Sequence, residues 1–297
     1  MLNKQSFLMT TLFILIWSSG FIVSRFGMPY AEPMTYLSLR FLGVCALMLP
    51  IILWKKLPWP AFSQIQHIAI AGALIQFGYL GGVWISVKAG MPAGLSSLIV
   101  GLQPVLTAVI GYFLAERLSG RQWLGMLLGL IGVIMVLFLK LHTGGVTASN
   151  IGFNIAALLS MTLGTIYQKR YCASFDLRIG SFIQFTTSAL LATVCAFLFD
   201  TREIIWSNEM IGSLVWSIFC ISIGAMSLLF LLIRRGNATK VSSIMYLTPA
   251  TTAMLAYIFF HEPLTPFIIL GTLVTTLGVL LVNQPNRIPA VVLQEKP

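Results

Sequence analysis

Two stretches of this chain repeat one pattern, and both lie in strongly apolar sequence. Residues 96–132 carry Ser96, Ser97, Pro104, Tyr112, Glu116, Leu118, Gly125 and Gly132. Residues 242–278 carry Ser242, Ser243, Pro249, Tyr257, Glu262, Leu264, Gly271 and Gly278 in the same order. The run Glu-x-Leu-x6-Gly-x6-Gly has the same spacing in both. A duplicated apolar half narrows the fold to a membrane architecture built from two structural repeats, the plan common among secondary carriers.

The solvent of such a chain follows from its composition. Charged residues make up 9% and hydrophobic residues 58% of the sequence, and the mean hydropathy is +0.92. A soluble domain carries about 25% charge, so the bilayer is the partner for most of this surface. At about 20 residues per membrane helix, the 297 residues leave room for about ten spans and short loops. The apolar runs predict helices near 6–27, 33–54, 65–87, 92–115, 121–140, 150–168, 178–199, 210–233, 239–260 and 265–283. The first run is read as a retained span and not a removed leader. The fold class expected is an all-α polytopic membrane protein of ten transmembrane helices.

The positive charges orient these helices. Lys4, Lys55, Lys56, Arg117, Arg121, Lys169, Arg170, Arg178, Arg234, Arg235, Lys240, Arg287 and Lys296 fall on one side. Only Arg25, Lys88, Lys140 and Arg202 fall on the other, with Arg40 inside a span. The positive-inside rule then places both termini in the cytoplasm. Five spans per half is an odd number, so the second half enters from the opposite face and the repeats are inverted. The halves are read as 1–144 and 145–283, with 284–297 a cytoplasmic tail. Glu116 then lies near the cytoplasmic face and Glu262 near the external face. The net charge of +10 reflects these loops and anionic lipid; no basic cluster interleaved with aromatics points to nucleic acid.

Further motifs resemble a known family. Trp17-Ser18-Ser19-Gly20-Phe21 leads to Arg25, and the second span carries Leu39-Arg40-Phe41. Each half ends with a proline-containing helix, a glutamate and a Gly-x6-Gly helix. This resembles the EamA-type branch of the drug/metabolite transporter superfamily over nearly the whole chain. The resemblance implies two inverted five-helix repeats, a central cavity and movement of small metabolites such as amino acids. The sixth span has no tryptophan at the Trp17 counterpart, which departs from a symmetric aromatic role.

The candidate cavity residues start from the two prolines. A transmembrane proline frees a carbonyl one turn earlier, at Val100 for Pro104 and Met245 for Pro249. Gln103 matches Thr248, and Thr107 matches Thr252, as polar flanks. They are expected to line a cavity wall, with a kinked helix bonding its own backbone as the plain alternative. Gln76 and Tyr79 in the third span, Tyr246 in the ninth and Trp17 in the first are further wall candidates. Trp84, near the external end, reads as an aromatic belt residue, and Tyr167, near the inner end of the sixth span, as either wall or belt. Arg40 is the charge lying well inside a span. It either binds an anionic group of the substrate or holds helix carbonyls or Glu32. Arg25 and Lys169 are possible gates or snorkelling helix ends. The helix-end glutamates read as packing and capping anchors, and the paired glycines as close-packing surfaces.

Several function classes are excluded by what is missing. No Gly-x4-Gly-Lys-[Ser/Thr] loop occurs, so neither an ATP engine nor an ATPase subunit is implied. No His-Glu-x-x-His or Gly-x-Ser-x-Gly occurs, and Cys45, Cys172, Cys195 and Cys220 form no Cys-x-x-Cys pair. No metal, cofactor or enzyme activity is expected. All eight acids lie in loops or at span ends, which leaves facilitated diffusion and coupling through His67 both open. The expected function is secondary transport of amphipathic metabolites across the cell membrane by alternating access, in the direction of export. An importer of the same fold, or a non-transporting scaffold or receptor, is the alternative.

Overall fold

The computed structural model describes residues 4–113, 119–143, 146–172, 176–234, 245 and 247–283. Glu116 and the tail after Asn283 therefore lie outside the described residues. Among the described residues, eight helices are long and apolar enough to cross a bilayer. They are α1 (Lys4–Gly27), α2 (Pro33–Trp54), α3 (Phe62–Lys88), α4 (Ala93–Phe113), α5 (Gly120–Thr143), α6 (Ala148–Tyr171), α7 (Leu177–Phe199) and α8 (Asn208–Leu229, running on through Arg234). Two shorter apolar helices follow, α9 (Thr248–Phe260) and α10 (Pro266–Asn283). The expected ninth span began at 239; its longest described run is the 13 residues of α9, which rise about 20 Å.

Local chemistry sets the helix ends. Pro33 opens α2, where its missing N–H costs nothing. The Asp200 carboxylate, far along the chain, accepts from the Thr35 amide at 2.7 Å and its hydroxyl at 2.8 Å. A negative group at a helix N-terminus is stabilising, and this one ties the start of α2 to the end of α7. Thr147 and Asn150 form a reciprocal capping box on α6. Asp176 and Ser207 cap α7 and α8. His261 ends α9 in the left-handed region at φ 53°.

Two helices depart from regular α geometry at corresponding places. Ala73–Gly78 in α3 and Trp216–Ala225 in α8 are π-helical. A π segment carries an extra residue per turn and is frequent at functional sites. Each lies in the third helix of its half. The fourth helix is broken: Ala93–Val100 ends in a turn at Gly101 and Leu102, and a second helix starts at Gln103.

The packing pairs elements across the halves. α5 runs along α10, α2 along α7, and α9 against the first part of α4. α1 packs on α9 as α6 packs on α4, and α3 packs on α6 as α1 packs on the π segment of α8. The glycine surfaces act as expected between α5 and α10. A Cβ on Gly125 would lie 2.6 Å from the Gly278 carbonyl oxygen, and one on Gly271 2.9 Å from the Gly132 carbonyl oxygen. Only glycine lets these backbones approach so closely.

Candidate functional site

The broken fourth helix and the start of α9 shape the central cavity. Pro104 sits in the first turn of its helical segment, and Pro249 in the first turn of α9. Neither is inside a continuous kinked helix, as the sequence alone suggested. Each proline starts a helix, where its missing N–H is no loss. The two turns face one another: a Cβ on Gly101 would lie 2.9 Å from the Pro249 ring.

Around these turns lies a cavity of about 640 Å³, within the range of about 300–1,000 Å³ that holds small organic ligands. Trp17, Tyr79, Gln103, Pro104, Thr107, Thr248, Pro249 and Lys169 all line it. The Gln103 side-chain amide donates to the Thr165 hydroxyl at 2.8 Å, joining α4 to α6. Thr107 returns its hydroxyl to the Gln103 carbonyl at 2.8 Å. The buried Thr248 hydroxyl lines the cavity and has no hydrogen-bond partner among the described residues. A buried, unpaired hydroxyl beside a void is costly unless water or a ligand reaches it.

A smaller chamber of about 80 Å³ adjoins the first, sharing Trp17, Phe21, Tyr79 and Met161 as walls. Arg40, Gln76 and Trp84 complete it with the two π segments, through Ile75 and Ser222. Arg40 is 4% exposed and donates from Nε at 3.2 Å and Nη2 at 3.1 Å to the Ser222 hydroxyl.

Several sequence expectations need correction. Glu32 does not hold Arg40; it pairs with Lys88 at 3.2 Å. Trp84 is not a belt residue, being 1% exposed and packed on Tyr36 at 4.3 Å between ring centroids. Gly27 leaves the space that the Tyr36 ring fills. Thr252 is fully buried away from both cavities, its hydroxyl directed to the Ser18 carbonyl at 3.4 Å. Tyr246 lies outside the described residues. Tyr167 meets His67 Nδ1 at 2.7 Å, and Tyr171 stacks on the same imidazole. Thr165, Gln122, Thr275, Thr276 and Ser222 also line the cavities. Nothing in their spacing singled them out in the sequence.

The ends of the cavity differ. Toward the start of α4, side chains from three helices meet. Arg25 forms an ion pair with Glu262, and its guanidinium lies 4.3 Å from the centre of the Phe260 ring. Glu262 also accepts from the Ala93 amide at 3.2 Å, so one carboxylate joins α1, α4 and the end of α9. On the same face Lys88 Nζ donates to the Met28 carbonyl at 3.0 Å. In the other direction the cavity reaches Lys169, Gln122 and Val282, at the far ends of α6, α5 and α10.

The sequence and the fold both have relatives. The chain is 26% identical over 288 residues to the uncharacterized transporter YvbV of Bacillus subtilis (strain 168), covering 96% of this chain and 93% of that protein. It is 24% identical over 288 residues to a protein of Escherichia coli (strain K12) named as a probable amino-acid metabolite efflux pump, covering 93% and 94%. A solved protein crystal structure, 19% identical, superposes with a TM-score of 0.64 over 95% of this chain and 97% of that one. That likeness speaks for the fold alone. Residues 5–138 and 149–284 each match the EamA-like transporter family. The relatives are transporters and not enzymes, and the chain, a multi-pass protein of the cell membrane, belongs to the EamA-like transporter family.

Proposed function

We propose that this protein moves small amphipathic metabolites, amino acids or related compounds, out of the cell by alternating access. One observation carries the reading: a cavity of mixed apolar and polar lining between the halves continues to Lys169 at one end, while toward the other the Arg25–Glu262 pair joins α1, α4 and the end of α9, which we read as its seal. In a carrier, such an arrangement is one of two interconverting states. The loop-charge bias supports a cytoplasmic location for both termini and for the Lys169 end. Ten spans, with α9 and α10 as the last two, and inverted halves at 1–144 and 145–283 complete the topology. The mirrored helix contacts support that inversion.

A lining without acids or histidines supports movement down the substrate gradient. No carboxylate or histidine appears among its lining residues. His67 is engaged with Tyr167 and Tyr171 instead. The test is flux of an amino-acid panel in proteoliposomes, with and without an imposed proton gradient. Downhill movement of at least one amino acid, little altered by the gradient, is expected. Uphill accumulation driven by the proton gradient alone would overturn the facilitated mechanism, and absence of any flux would overturn the transport reading. Cysteines placed at Lys56 and Thr143 in a cysteine-free background test the orientation. Position 56 should label from the cytoplasmic side and position 143 from outside.

A further inference from the structure

The Arg40 chamber holds a positive charge that no described acidic side chain neutralises. A guanidinium has five N–H donors. Here its hydrogen bonds go to one hydroxyl, that of Ser222. Among the described residues no acidic side chain pairs with it; the ion pairs present are Arg25 with Glu262, Lys88 with Glu32 and Arg178 with Asp176. A buried cation left in this way is expensive. The void beside it is about 80 Å³. Liquid water takes about 30 Å³ per molecule, so the chamber fits a carboxylate-sized group with little to spare. It is too small for a whole amphipathic metabolite.

The walls say where the rest of such a molecule would lie. Trp17 and Tyr79 border both the chamber and the 640 Å³ cavity. A ligand with its anionic head at Arg40 would place its body against these two rings and reach toward Gln103 and Thr248. The π segments make this possible. By bulging α3 and α8, they bring Ile75 and Gln76 from one side and Ile221 and Ser222 from the other around one arginine.

We infer that the Arg40 chamber is the carboxylate-binding end of the substrate site, so that the protein selects metabolites carrying a single carboxylate over their neutral or cationic analogues. This rests on the transport reading above. It adds a sign of charge and a point of attachment to it. A guanidinium fork recognises a carboxylate through two parallel charge-assisted bonds, while Ser222 holds the other edge of the fork in place.

The test uses full-length protein in proteoliposomes and matched probes: L-phenylalanine, L-leucine and L-threonine, each against the amine left by removing its carboxylate. Binding is read by thermal protection and flux by radiolabel. At least one acid should bind about tenfold or more tightly than its amine, the factor set by one charge-assisted contact. Arg40→Gln should remove that preference, bringing the affinities for acid and amine together. Arg40→Lys keeps the charge but loses the fork, and should retain part of the preference; it serves if the glutamine variant does not fold. Ser222→Ala should keep most of it. Equal binding of acids and amines by the native protein would overturn the inference, as would a preference intact in both Arg40 variants. Protection by chloride as strong as by any acid would assign the chamber to an inorganic anion and overturn the carboxylate assignment. The two readings fail separately. Flux without Arg40-dependent selectivity removes only the chamber's role. Selective binding without flux removes only transport.

Discussion

The Arg25–Glu262 seal offers the sharpest perturbation. Glu262→Gln keeps the side-chain shape and an oxygen to accept from the Ala93 amide, which lies 3.2 Å away, but removes the ion pair. The arginine side chain is 39% exposed and the glutamate 12%. Full exposure would make the pair worth about 0–1 kcal/mol, and a hydrogen bond to a buried charge about 1.5–3 kcal/mol. The mixed exposure places this pair near about 1 kcal/mol. In the proposed cycle that energy acts only in the state sealed at this face, so its loss should shift the equilibrium about fivefold toward opening there. Arg25→Gln removes the same pair and also the contact over Phe260, itself worth about 0.5–1 kcal/mol at an exposed site. It should shift the equilibrium further. Ser97 lines the cavity behind the seal, so Ser97→Cys in a cysteine-free background reports opening through its labelling by an impermeant thiol reagent from outside. Labelling should rise about fivefold in Glu262→Gln and more in Arg25→Gln. Equal labelling in native and both variants, at matched membrane levels, would refute the seal.

Gln103→Leu removes the bond to Thr165, while Thr165 keeps its own bonds to the Met161 and Thr162 carbonyls. Flux should fall about tenfold or more with an unchanged gel-filtration profile; normal flux counts against the cavity wall. Gly278→Val would press a side chain into the backbone of α5 at Gly125 and Gly129. It should cost up to about 3 kcal/mol, seen as a lower Tm in detergent. Arg178 beside Asp176 holds that carboxyl down at about 2, against about 3.9 in an unfolded chain. Its contribution to stability is therefore full above about pH 4 and lost as pH falls toward 2. The Tm difference between native protein and Asp176→Asn should shrink over that range and stay flat from pH 5 to 8.

Apolar runs and punctuating prolines made most of the helices legible from sequence, because burial in lipid demands long apolar stretches. The glycine seam between α5 and α10 was legible too, since small residues at matched spacing have few other uses in a membrane helix. The π segments were not. Nothing in Ala73–Gly78 or Trp216–Ala225 marks an extra residue per turn, and that bulge carries Gln76 and Ser222 to the Arg40 chamber. Thr252 was misplaced for another reason. Its helix starts at the position matching Gln103, but this residue packs on α1, with its hydroxyl toward the Ser18 carbonyl, a neighbour set by the assembled bundle. Trp84 looked like a belt residue from its depth along the helix, which says nothing about the direction its ring points. Arg25 and Glu262 stand 237 residues apart, and their pairing is a property of the assembled bundle.

The seam between α5 and α10 has a meaning beyond tight packing. Gly125 meets Gly278, and Gly132 meets Gly271. In the proposed inverted repeat, exchanging the halves turns the first contact into the second. Under the proposed alternating access, a contact set that maps onto itself is the same before and after the carrier reverses, which makes the seam a pivot and not a latch. A substitution there should change how much protein matures without biasing which side it opens to. Under the proposed alternating access, Arg25 and Glu262 belong to the opposite kind of contact, made in one state and broken in the other. Selection on the direction of transport can therefore act at the ends of the bundle, while the glycine axis answers only for whether the machine is built.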